Sequence, residues 1–177
     1  MVLFKKSLVI LAVFGTIYLK KGFFMYGLVY RGQLKKDVNA VVDCLGGGED
    51  AVNLLLETAS AETNLGETVD TTWNSGIGIM QFDPLSFVDL QNRISKSTLL
   101  KIKNCFDVDF KKLVVGDLRY SVFLSVLSAR LKYMLIPQPI PNNLLLRAEY
   151  WKRYYNSVLG KGSALHYVEN ARGNQIA

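Results

Sequence analysis

One histidine, His166, and two cysteines, Cys44 and Cys105, are all the imidazole and thiol ligands in this 177-residue chain. They lack metal-ligand spacing, which argues against a zinc site, and no metal or cofactor is implied. Two cysteines fit one disulfide if the domain reaches an oxidising compartment, or else two separate buried thiols. No Lys-Ser/Thr follows Gly46, Gly47 and Gly48, so they read as a helix stop and not as a phosphate loop. Nucleic-acid motifs, internal repeats and strand-rich regions are also missing. The apolar run 7–19 has thirteen uncharged residues, short of the ~20 that a transmembrane helix needs.

What remains is a chain of one-domain length. Half its residues are hydrophobic, which excludes a disordered composition. The net charge of +6 is unevenly spread. Residues 31–90 hold three basic and ten acidic residues, and residues 91–177 hold fourteen basic and five acidic ones. A basic second half suits an anionic partner, which could be nucleic acid, a membrane surface or a cell-wall polymer. Solvated helical faces account for the same lysines.

Residues 1–30 read as a signal-anchor-like hydrophobic segment, with Lys5 and Lys6 before the first apolar run. Lys20 and Lys21 separate it from GFFMYGLVY. One span through both runs would bury two lysines at roughly 2.5–3.5 kcal/mol each. An amphipathic helix packed on the domain, or a start at Met25, are the other readings of this segment.

Residues 31–177 read as a single all-α domain, or α with a minimal β element. Helical spacing predicts helices near 30–45, 49–65, 84–94, 117–134, 144–155 and 163–171. Segment 97–110 is mixed, with Leu99, Leu100, Ile102 and Phe106 expected to pack inwards. The 117–134 helix is the expected central one.

The stretch 54–84 is the most informative. Val52, Leu55, Leu56 and Ala59 form one stripe at ~100° per residue. Glu62, seven residues after Leu55, falls on it; Glu57 is expected to point to solvent. A carboxyl group facing the core is costly to ionise, so its pKa rises into the range a general acid uses. A buried ion pair with a lysine or arginine of the basic half is the alternative for Glu62. Residues 67–76 read as a surface loop around Trp73. The segment SGIGIMQFDP then turns back, with Met80 and Phe82 in the core and Gln81 aimed elsewhere.

These residues resemble the lytic transglycosylase and goose-type lysozyme pattern. There, a helical Glu-Ser/Thr is followed about eighteen residues later by Gly-Leu-Met-Gln. Here Glu62-Thr63 stands nineteen residues before Gln81, with Gly78-Ile79-Met80-Gln81 as the second motif. Tyr154-Tyr155-Asn156-Ser157, then Gly160-Lys161-Gly162, is similar to the Ala-Tyr-Asn-Ala-Gly motif, and Tyr167 stands for a tyrosine of the last helix. The segments around Glu62 and from Trp151 to Gly162 also resemble small endolysin-like proteins of tailed bacteriophages.

The resemblance implies a lysozyme-like fold that acts on peptidoglycan glycan strands. Its catalytic residue would be Glu62, with Gly78, Met80, Gln81, Tyr155, Asn156 and Tyr167 at the substrate and Tyr167 orienting Glu62 or the muramic acid 6-hydroxyl. Asp70 and Asp83 are the nearest candidates for the second carboxylate that a hydrolytic route would use. Export to the host periplasm or cell wall is expected, with residues 1–30 as a membrane tether, no nucleic-acid partner and a monomeric state. A catalytically inactive wall-binding or virion structural protein, or a small membrane-anchored interaction protein, are the competing expectations.

Overall fold

The computed structural model describes residues 26, 31–68, 76–156, 160 and 162–176. The anchor-like segment apart from Tyr26, and also Asp70, Trp73, Ser157 and Lys161, lie outside the described residues. Seven α-helices run through the described part, and no helix there is long and apolar enough to cross a membrane. The fold is all-α. The only β pairing among the described residues is the antiparallel bridge between Ile77 and Phe82.

Helix α1, Arg31–Leu45, buries Leu34, Val38, Val41, Val42 and Leu45, the positions its spacing marks as apolar. It packs on α5 and α2. Gly46, Gly47 and Gly48 stop it with φ of 82°, 113° and 61°, which only glycine adopts at little cost. Arg130 of α5 donates from Nε and Nη2 to the Gly46 carbonyl oxygen, at 3.1 and 2.8 Å. A Cβ on Gly47 would sit 2.8 Å from that Nη2.

Helix α2, Gly48–Thr63, contacts α1, α5, α6 and α7. It therefore lacks the broad solvent face of a surface helix. Glu57 is fully buried, contrary to the expectation that it faces water. The stripe through Leu55 was only one of several buried faces, because helices from the second half close over the others. Thr58 shows how polar groups survive there: its Oγ1 is 2.7 Å from the Leu54 carbonyl oxygen and 2.8 Å from the Tyr133 hydroxyl. Asn64, Leu65 and Gly66 then turn the chain out of the helix with positive φ.

The bridge closes a tight turn over Gly78–Gln81. Ile77 and Phe82 exchange N–H···O bonds of 2.9 Å. The turn is pinned twice: Thr63 donates to the Ile79 carbonyl oxygen at 2.8 Å, and Met80 N donates to Ser125 Oγ at 3.2 Å. Met80 and Phe82 are in the core, as their apolar character predicts. Helix α3, Pro84–Arg93, follows, with Asp83 accepting from Ser86 N at 2.9 Å.

Helix α4, Lys96–Phe106, is regular where the sequence looked mixed, and Ser95 caps it. Ile102 is buried and Phe106 packs edge-on against Phe123 at 4.9 Å. Leu100, expected to point inwards, is 62% exposed. It lies two residues from Ile102, about 200° round the helix, so both cannot face the core. Cys44 of α1 and Cys105 of α4 form a disulfide, which settles the choice between paired and separate cysteines.

The expected 117–134 helix is split. A 3-10 helix covers Val115–Arg119, and α5, Val122–Met134, starts afresh from a Ser121 cap. Val122, Ser125, Val126, Ala129 and Tyr133, which recur along it at helical spacing, are all buried, as is Leu118 in the preceding turn. Helix α6, Leu144–Trp151, passes into a π-helical turn, Lys152–Asn156. Helix α7, Ala164–Gly173, starts at Ser163, whose side chain accepts from His166 N.

Candidate active site

Glu62 sits in the last turn of α2, half-buried, beside the π-helical turn. Its Oε1 accepts a hydrogen bond from Trp151 Nε1 at 3.0 Å. Burial lifts its pKa from 4.5 to about 7, against the pull of the Trp151 bond and of the Lys132 charge. The indole N–H favours the ionised form; loss of hydration opposes it and wins. Near neutral pH the carboxyl is therefore poised between proton donor and proton acceptor.

Tyr155 ties the second half of the chain to the 77–82 turn. Its hydroxyl donates to the Met80 carbonyl oxygen at 2.8 Å, and its ring meets Phe82 edge-on at 6.2 Å. Burial, reinforced by the nearby Glu62 charge, pushes the phenol well above its ordinary pKa, so it stays a donor. Lys132 of α5 completes this corner. Its Nζ donates to the Tyr155 carbonyl oxygen at 3.1 Å and lies 4.1 Å from the centre of the Tyr155 ring. Burial lowers its pKa, opposed by the charges of Glu62 and Asp83.

The structure thus brings together Glu62, Met80 and Tyr155. Gly78 belongs to the same turn: at φ 75° it passes so close to Leu118 that a Cβ would lie 2.4 Å from the Leu118 carbonyl oxygen. The Gln81 side chain folds back, donating to the carbonyl oxygen of Gly78 and to the Tyr26 hydroxyl, both at 3.1 Å. Asn156 accepts from Lys152 Nζ at 2.9 Å. Gly162 lies against the Trp151 ring, where a Cβ would come within 2.6 Å of it.

Tyr167 does not reach Glu62. Its hydroxyl donates to Glu57 Oε2 at 2.9 Å, while Arg147 Nη2 and Nε hold the same carboxylate at 2.6 and 2.8 Å. Of the two roles the resemblance gave Tyr167, the bond to Glu62 is made by Trp151 instead. The Tyr167 ring packs on Trp151 with centroids 5.1 Å apart, so Tyr167 supports Glu62 only at one remove. The ion pair with the basic half, offered for Glu62, belongs to Glu57.

Two site residues carry no role in the sequence reading, Trp151 and Lys132. Trp151 appears there only as the first residue of the stretch to Gly162 that resembles phage endolysin-like proteins; its place in that stretch, four residues before Tyr155, was the available signal. Lys132 had none, being one lysine of a basic half. Asp83, the described candidate for a second carboxylate, is spent on the α3 cap.

No family model, no curated protein and no solved structure matches the chain.

Proposed function

We propose that this protein is a peptidoglycan-cleaving glycosidase of lytic transglycosylase type, built on a lysozyme-like domain, with Glu62 as general acid and base. The observation that carries this is the Glu62 carboxyl, lifted to a pKa of about 7 and held by Trp151, next to the Thr63 that bonds the Gly78–Gln81 turn. In the proposed reaction Glu62 gives its proton to the glycosidic oxygen between N-acetylmuramic acid and N-acetylglucosamine. The C1–O bond breaks and the leaving sugar departs as an alcohol. The muramic acid 6-hydroxyl then bonds to C1, its proton passes to the Glu62 carboxylate, and a 1,6-anhydro ring closes.

Two features favour this route over hydrolysis. Glu57 is locked in its ion pair, and Asp83 has one oxygen engaged in a helix cap. Export is supported by the Cys44–Cys105 bond, since disulfides persist outside the reducing cytosol.

A zymogram on purified peptidoglycan tests the proposal. Wild type should clear a band and Glu62→Gln should not. A variant that clears like wild type would sink the role of Glu62, and mass analysis of the products should find anhydro-muramic ends.

A further inference from the structure

Lys132 also lines a cavity of about 270 Å³ that the reaction at Glu62 leaves unused. Ser86, Asp89 and Arg93 of α3 form one side, with Pro137 and Tyr154 on another. The Asp89 carboxylate is answered by Arg93 Nη1 at 3.2 Å. The ammonium of Lys132 has three donors, and among the described residues one protein acceptor meets it, the Tyr155 carbonyl oxygen. Its other neighbours include the Tyr155 and Phe82 ring faces, at 4.1 and 5.5 Å. A partly desolvated cation with donors to spare, beside apolar walls, selects an anion with an apolar body. The volume falls just below the roughly 300–1,000 Å³ of whole-ligand sites, so it admits a side arm of a strand.

We propose that this cavity is a subsite for a carboxylate-bearing arm of the substrate, with Lys132 as its anion-binding residue. The proposal rests on the muralytic reading above. In a glycan strand the carboxylate belongs either to the lactyl group of a bare muramic acid or to the attached peptide.

Three probes separate these sources in NMR titrations of the full-length protein: N-acetylglucosamine, N-acetylmuramic acid and muramyl dipeptide. The first has no carboxylate, the second carries it on the lactyl arm, the third on its peptide. At least one of the two acids should bind about tenfold more tightly than N-acetylglucosamine, the scale of one charge-assisted hydrogen bond. The one that does so names the source. Lys132→Met should remove the preference and Lys132→Arg should keep it.

Equal binding of all three probes to wild type, a comparison that needs no variant to fold, overturns the subsite. If Glu62-dependent clearing persists in that case, the enzyme stands without it. Conversely, a Lys132-dependent preference for an acid, in a protein that clears no peptidoglycan, supports the anion site and removes the muralytic reading.

Discussion

A carboxyl group with a pKa near 7 works as an acid only while protonated, so activity should fall as pH rises through about 7. Trp151 sets where that limb lies. Its indole N–H pulls the Glu62 pKa down, so Trp151→Phe should move the alkaline limb to higher pH while lowering the maximal rate, because the carboxyl loses its anchor. A limb that stays put in a pH–rate profile would separate Trp151 from the acid. Glu57 presents the opposite case, a carboxylate whose partners are complete. Glu57→Ala leaves Arg147 buried without its counter-ion and should cost about 3–5 kcal/mol in urea unfolding. Tyr167→Phe removes one hydrogen bond and keeps the ring against Trp151, so its cost should be about 1 kcal/mol or a little more. Comparable losses from the two would show that the ion pair is not the dominant member of the cluster.

At the scale of elements, the sequence was most readable where one face decides the outcome. Leu34, Val38 and Val41 in α1, and Val126 and Ala129 in α5, recur at helical spacing and are buried. The reading failed where burial comes from several sides. Spacing ranked Glu62 above Glu57 because it sees one stripe, while α2 is enclosed by helices whose approach no local pattern encodes. The break at Tyr120, an exposed residue, follows instead from the Ser121 cap, a local signal that the helical spacing overrode. The Cys44–Cys105 pair was undecidable for a related reason: a separation of 61 residues says nothing about distance in space. That bond has a measurable worth. Closing a loop of this length stabilises by about 4 kcal/mol in the chain-entropy account, so Cys44→Ala with Cys105→Ala should lower the melting temperature by about 10 °C. An unchanged midpoint would mean that α1 and α4 hold together without it.

For the whole molecule the governing feature is the division of charge along the chain. The acidic first half supplies the carboxylates Glu57 and Glu62. The basic second half supplies their partners, Arg147 and Lys132, and also exposed groups such as Lys96, Lys101 and Arg119. Exposed cations act at long range and are screened by salt. Co-sedimentation with purified cell walls should therefore weaken as salt is raised from about 50 to 500 mM, even for Glu62→Gln, which keeps the surface intact. Binding indifferent to salt would show that the exposed cations carry none of it.

The disulfide has one further consequence. It closes residues 44–105 into a covalent ring that contains Glu62, the Gly78–Gln81 turn and all of α3. A protease that cuts the backbone once anywhere inside this ring produces two polypeptides but releases neither. The severed molecule runs as one species on a gel until a reductant is added, and keeps its acid and its glycine turn tethered to the same body.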